Sequence, residues 1–464
     1  MAIVRAVMVP HPPLIIPQVG RGEEKQIQKT IDAYREASRF LREVSPDVVI
    51  VTTPHSVMYA DWFHISPGSG ARGNFGQFRA PEVVISAQYD AEFVRELCRT
   101  AQTSGFPAGT EGERTPELDH ASMIPLYFLQ EAYGDAPLPP VVRIGLSGLS
   151  LFEHYRLGMF IRETAEKLNR RAVIVASGDL SHKLTKEGPY GFSAEGPQYD
   201  ARIMDVMGRA AFGELFDFSD SFCERAAECG HRSFTIMAGC FDGQAVESRV
   251  LSHEGPFGVG YGVCLFAPTG GDASRHFLDA ALEKQKEATE ARKKKEDAYV
   301  RLARLSVETF VTTHSQASLP DDVPEELLNR RAGVFTTLHK NGRLRGCIGT
   351  IAPTRKNVAL EILQNAVSAC SEDPRFPAVA KDELPYLTYS VDVLGAPENI
   401  RSPSQLDVKR YGVIVSCGGR RGLLLPDLDG VDTVEQQIDI ARRKGGIDPG
   451  EPLHLQRFEV IRHV

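Results

Sequence analysis

None of the eight cysteines lies in a Cys-x-x-Cys pair, which argues against a disulfide framework or a zinc ribbon. They are scattered singly from Cys98 to Cys417, as reduced thiols would be, so a cytoplasmic protein is expected. No apolar run reaches the roughly 18 residues that a membrane-spanning helix needs, so no membrane is expected as a partner. The apolar stretch Met1 to Val9 is short. His11, Pro12 and Pro13 stop it with no small-residue cleavage site behind, so it reads as a first strand rather than a signal peptide. Positive charge is not in excess: 53 Lys and Arg stand against 61 Asp and Glu, which excludes a dominant nucleic-acid surface. Internal repeats are absent. The one biased stretch, Leu282 to Asp297, is rich in Glu, Lys, Arg and Ala and contains Lys293-Lys294-Lys295. It reads as a solvated helical connector, with phosphate binding by the lysines as the minor alternative.

What is present is enough chain for two or three domains: 464 residues of ordinary globular composition. Residues 1–267 alternate strand and helix patterns. Ile3–Val9, Asp47–Thr53, Val83–Ala87, Val141–Leu146 and Ala172–Ser177 read as strands, mostly as β-branched buried runs. Helical patterns cover Glu23–Val44, Ala91–Gln102, Leu151–Asn169 and Gln198–Phe212. The alternation predicts an α/β sheet with helices on both faces, finished by a strand pair over Val246–His253 and Gly258–Ala267. Pro268 to Asp272 reads as a turn-rich break. Residues 268–296 then form the charged linker, and 297–464 a second, α+β domain. That domain should hold helices over Ala298–Thr313, Val358–Cys370 and Thr433–Lys444. Its strands would include a hairpin around Lys340-Asn341-Gly342-Arg343.

The chemistry gathers at strand ends. His11 follows the first strand, His55 follows Val48–Thr53, His182 follows Ala172–Ser177, and Glu254 ends the run from Val246. Open α/β sheets bind ligands outside the carboxyl ends of their strands, near a topological switch point. Taken singly, a histidine after a strand is usually a surface or capping residue. Taken together, His11, His55 and Glu254 form a set of two histidines and one carboxylate, which favours Fe(II), with Mn, Co or Zn as alternatives. His182 is left as a general acid/base, because an unperturbed imidazole titrates near pH ~6.5. His253 is an alternative ligand to its neighbour Glu254, since adjacent strand residues face opposite ways. Asp179 either caps a turn or orients His182.

These segments occur in a family order. His11-Pro-Pro-Leu, Pro54-His55-Ser, Asp119-His120-Ala, Ser177-Gly-Asp-Leu-Ser-His182 and His253-Glu254-Gly255 resemble the catalytic subunit of class III extradiol dioxygenases, the LigB-type and Memo families. The resemblance implies an oxidoreductase in which His11, His55 and Glu254 hold non-haem Fe(II) and His182 moves the proton. It also implies that His120 touches a small phenolic or other oxygenated substrate, unless it serves only as a helix N-terminal residue. In residues 297–464, Leu344-Arg-Gly-Cys-Ile-Gly349, Asp373-Pro-Arg-Phe-Pro377 and Gly422-Leu-Leu-Leu-Pro426 resemble the AMMECR domain. Arg345 and Cys347 are its pocket candidates, followed by His339 and Arg375. A buried structural role is the better reading of Cys347. The fusion resembles the AmmeMemoRadiSam system A family, which implies a radical-SAM partner protein. An isologous homodimer is the default assembly.

Overall fold

The computed structural model describes residues 2–340, 342–428 and 430–464, and of Arg343 and Asp382 the backbone. It divides into two units, Met1–Leu282 and Glu283–Val464. The division falls inside a helix, Phe277–Lys293, within the expected linker.

The first unit is built on a six-stranded sheet. Its elements in chain order are β1 (Ile3–Val9), α1 (Gln28–Glu43), β2 (Val48–Thr53), α2 (Ala91–Thr103), α3 (His120–Tyr133), β3 (Val141–Gly145), α4 (Leu151–Lys167), β4 (Ala172–Ser177), α5 (Glu195–Gly208), α6 (His231–Cys240), β5 (Gln244–Glu254) and β6 (Tyr261–Gly271). The spatial order is β3-β2-β4-β1-β6-β5. The first four strands are parallel, β6 runs antiparallel to β1, and β5 antiparallel to β6.

Every residue of β2, β3 and β4 is buried. Strand alternation explains how. Val48, Ile50, Ala172, Ile174 and Ala176 face a core completed by α2, α4, α5 and α6. Val49, Val51, Val173 and Val175 face a second core completed by α1 and α3. The sheet is therefore covered by helices on both faces, as the β-branched runs predict. Burying one such side chain is worth about 1.5–3 kcal/mol, enough to offset the ~1–2 kcal/mol cost of ordering its backbone.

Two expectations change. Val83–Ala87 is not in the main sheet. It belongs to a separate hairpin, Gly70–Phe75 with Ala80–Gln88, whose buried and exposed residues alternate. Pro268 to Gly271 does not break the chain either. A register shift between Pro268 and Gly270 absorbs the irregular residues, and β6 stays paired with β5 to its end.

The second unit is α+β. Its antiparallel sheet runs Arg343–Gly349, Val334–Lys340, Leu387–Leu394, His454–His463, Tyr411–Cys417, Arg420–Leu424, with Glu398–Ile400 also against His454–His463. Helices Ala298–Thr313 and Val358–Ser371 supply Val300, Ala303, Val307, Ile362 and Ala366 to one core. Helix Val434–Lys444 packs Ala441 and Ile438 into another. Strands Val334–Lys340 and Arg343–Gly349 pair antiparallel, as the hairpin reading requires. The turn residue Asn341 itself lies outside the described residues.

Among the described residues no helix is long and apolar enough to cross a membrane.

Candidate metal centre

Strand order brings three chain segments together. β2, β4 and β1 are neighbours, so residues just past their carboxyl ends share one edge of the sheet. His11 and His55 meet there, with their Nε2 atoms 3.1 Å apart. His11 is 1% exposed and His55 is exposed, so the pair runs from the core to solvent. Two donor groups form around His11: His11 with His55 and His120, and His11 with Asp179 and Cys229. In each, the candidate ligand atoms lie within 4.8 Å of one another.

The tautomer of His11 follows from its neighbours. Ser177 Oγ donates to the Ala121 carbonyl at 2.7 Å, which commits its hydrogen. It therefore accepts from His11 Nδ1 at 3.0 Å, which leaves the Nε2 lone pair facing the cluster. Cys229 Sγ lies 3.5 Å from the same Nε2. A buried imidazole fixed through Nδ1 and presenting Nε2 to two other soft or borderline donors fits a divalent metal ion.

The local electrostatics agree. Burial, followed by the nearby His55, His120 and His182, holds His11 well below the usual imidazole value. Burial lowers His55 against an opposing pull from Asp119. Burial and then His55 push His120 down to about 4. All three are neutral at pH 7, the protonation state in which imidazole binds metals. Burial raises Asp179 to about 7, and its Oδ1 accepts the His11 backbone N–H at 2.7 Å.

Asp179 and Cys229 are joined by a close backbone approach. A Cβ on Gly178 would collide with Gly230 Cα, and one on Gly230 would collide with the Phe234 ring and crowd the Asp179 carbonyl. With glycine at both places, the Asp179 N–H reaches Cys229 Sγ at 3.3 Å.

Glu254 is the correction. Its Oε1 accepts from Thr30 N at 2.8 Å and Thr30 Oγ1 at 2.6 Å, in the first turn of α1. Among the described residues it belongs to neither donor group. The strand-end rule holds for it, but β5 is the outer strand. β6 stands between β5 and β1, so Glu254 begins roughly 10 Å to one side, at ~4.8 Å per strand. There it satisfies a free N–H of a helix that has no side-chain cap of its own. Glu254→Gln is expected to leave metal content unchanged and to lower stability by about 1 kcal/mol, read by denaturant unfolding. Metal lost with the fold intact would restore Glu254 as a ligand. His253 is also elsewhere: its Nε2 pairs with Asp200 Oδ2 at 3.0 Å.

His182 stays beside the cluster. Its Nε2 is buried without a hydrogen-bond partner among the described residues, and its ring lies 5.1 Å from that of the exposed Tyr190. Burial and then His55 lower it to about 4. His120 opens α3 immediately after its N-cap, Asp119, and its ring lies 4.3 Å from His55 and 5.3 Å from Phe78. It therefore stands at the N-terminus of α3 and beside His55.

The first unit matches the model of the catalytic LigB subunit of aromatic ring-opening dioxygenase over residues 5–264, more than half of the chain. The chain belongs to the LigB family. Its second unit matches the AMMECR1 model over residues 300–463. Protein CA_C1420 of Clostridium acetobutylicum is 38% identical over 464 residues and aligns across 98% of both chains. A Thermotoga maritima protein is 51% identical over 170 residues, 36% of this chain and 98% of its own. The crystal structure of uncharacterized protein PH0010 from Pyrococcus horikoshii is 32% identical, with a TM-score of 0.34, covering 35% of this chain and 88% of its own.

Cys229 is the donor that sequence reasoning passed over, set aside with the other unpaired cysteines. A local signal exists: Cys229-Gly230-His231 opens α6 at a glycine that admits a second backbone.

The AMMECR motif residues are engaged with one another. Arg345 grips Glu383 through Nε at 3.0 Å and Nη2 at 2.8 Å and also bonds the Pro377 and Ala378 carbonyls. Arg375 pairs with Asp373 and donates to the Cys347 carbonyl at 3.2 Å. Cys347 is half-buried, its Sγ accepts from Thr337 Oγ1 at 3.1 Å, and burial pushes its thiol up. His339 is lowered by burial. A raised thiol beside a hydroxyl is a structural arrangement rather than an activated nucleophile.

Proposed function

We propose that the first unit is a metal-dependent enzyme of the class III extradiol dioxygenase type, acting on a small phenolic or other oxygenated substrate. The carrying observation is the approach of His11 Nε2 and His55 Nε2 to 3.1 Å, with His11 Nδ1 engaged by Ser177. Two neutral imidazoles whose Nε2 atoms meet at one point are the donors a divalent ion takes. Fe(II) is the first choice, with Zn or Mn as alternatives. A bound ion would act as a Lewis acid, lowering the pKa of a substrate hydroxyl and orienting it.

The chain's own residues supply the rest. His55, on the exposed side, leaves the site open to substrate. His182, neutral at pH 7 and with Nε2 unpartnered, accepts a proton from the substrate hydroxyl and returns it to the product. The Tyr190 and Phe78 rings flank His182 and His120, giving a flat substrate two aromatic walls. His182→Gln is expected to lower turnover by about 10²–10⁴-fold with metal content intact. Unchanged turnover would remove His182 from the chemistry.

The test of the reaction is oxygen uptake by anaerobically purified, Fe(II)-loaded protein on a catechol panel. Uptake with ring-opened product supports the dioxygenase reading. A loaded protein silent across the panel supports the second reading, a non-oxygenase metal enzyme working with a radical-SAM partner. The observation behind the non-oxygenase part of that reading is Cys229, because a thiol beside His11 suits redox-inert Zn as well as Fe.

A further inference from the structure

The edge strand β3 carries one charged residue among Val141, Val142, Ile144 and Gly145. Arg143 is 1% exposed and heads the fully buried side chains by volume. A guanidinium is rarely buried unless its donors are used. Its Nε donates to Ser66 Oγ at 2.7 Å, Nη1 to the Glu117 carbonyl at 2.6 Å and Nη2 to the Thr115 carbonyl at 3.2 Å. Two carboxylates stand slightly farther off, Glu113 Oε1 at 3.7 Å and Asp119 Oδ2 at 3.8 Å. All of these partners except Ser66 lie in residues 113–119, a segment with neither helix nor strand that ends at His120.

Asp119 passes the connection on. Its Oδ1 accepts from Ser122 N at 2.9 Å, as a helix N-cap, and from Thr53 Oγ1 at 2.7 Å. Thr53 Oγ1 has thereby committed its hydrogen and accepts the His55 N–H at 3.2 Å. One continuous line of polar contacts thus runs from a buried guanidinium to two members of the donor cluster. It reaches His120 through the chain and His55 through Thr53.

We propose that Arg143, acting through Asp119 and Thr53, is the positioning residue that sets His120 and His55 for metal binding. The inference rests on the metal-site reading above. Partners of this kind behind metal ligands typically change affinity by about 10–100-fold when removed. A simple capping role for Asp119 predicts otherwise, because Asn caps helices about as well as Asp. Asp119→Asn keeps the cap while removing the charge that faces Arg143.

The experiment titrates the full-length protein with Co(II), followed by its visible absorption, for wild type, Arg143→Met, Arg143→Lys and Asp119→Asn. Limited trypsin digestion runs alongside, with mass spectrometry watching cleavage after the exposed Arg114 in the pinned segment. The expected result is Co(II) binding weaker by about 10–100-fold in Arg143→Met and Asp119→Asn, with an altered absorption band. Arg143→Lys should recover part of it, and both weakened variants should be cut faster after Arg114. Should Arg143→Met not fold, Asp119→Asn decides. Folded variants with wild-type affinity, spectrum and trypsin resistance overturn the proposal. If wild type itself takes up no Co(II), the metal reading fails. The metal-positioning role then falls with it, and the trypsin arm separately reads whether Arg143 holds residues 113–119: faster cleavage upholds that contact and unchanged cleavage overturns it.

Discussion

Anaerobically purified His55→Ala protein is expected to be folded and to hold almost no metal, where wild type holds about one ion per chain. His55 is exposed and lies past the end of β2, so its loss leaves the core untouched. It contributes one of the two imidazole nitrogens that meet at 3.1 Å. Loss of a direct donor should exceed the ~10–100-fold penalty seen for partners behind a ligand. An affinity drop of more than about a hundredfold is therefore expected by metal analysis after dialysis. His11→Ala should lose metal equally and also lose stability, because that ring is buried and bonded to Ser177. Metal retained at wild-type level in both variants would place the ion elsewhere.

Arg345→Met is expected to destabilise the second unit by about 3–5 kcal/mol, the usual cost of removing one partner from a buried pair. Both side chains are 12% exposed, and the pairing is bidentate. Burial alone would raise Glu383, but Arg345, the Ala380 N–H and Lys340 outweigh it and hold the carboxyl down at about 2. The sign follows. A carboxyl whose folded value lies below its unfolded value, ~4.3, stabilises fully above that value. The contribution, about 3 kcal/mol, is lost as pH falls from roughly 4.3 towards 2. Thermal unfolding across pH 2–6 should show that loss in wild type and a smaller one in Arg345→Met, where the Ala380 N–H and Lys340 still act on Glu383. A variant as stable as wild type at pH 7 would return Arg345 to the role of a free ligand-binding group.

How much of this was legible in the sequence depends on where each residue sits in the sheet. His11, His55 and His182 follow strands that are buried on both faces, so their β-branched runs announce the strands. The strand-end rule then places the histidines. Glu254 obeys the same rule on an outer strand, and sequence carries no lateral coordinate, so its distance from β1 was invisible. His120 follows no strand at all. Its place came from family likeness and is set in the fold by Asp119 and Arg143. Arg143 reads as an interruption in an apolar run until its partners, far away in the chain, are known. Cys229 has only its glycine neighbour as a local signal, because a thiol donor is recognised by spacing and here its companions His11 and Asp179 come from distant strand ends. Arg345 shows the converse: a basic residue in a Gly-rich motif suggests an anion site, and the anion is the protein's own Glu383.

Anomalous diffraction from crystals of the Fe(II)-loaded protein, grown without oxygen, tests the central claim most directly. The prediction is one iron peak within roughly 2.0–2.4 Å of both His11 Nε2 and His55 Nε2, with Glu254 still bonded to Thr30. An iron peak held by Glu254 away from these imidazoles, or saturating iron that leaves the two nitrogens bare, would contradict it.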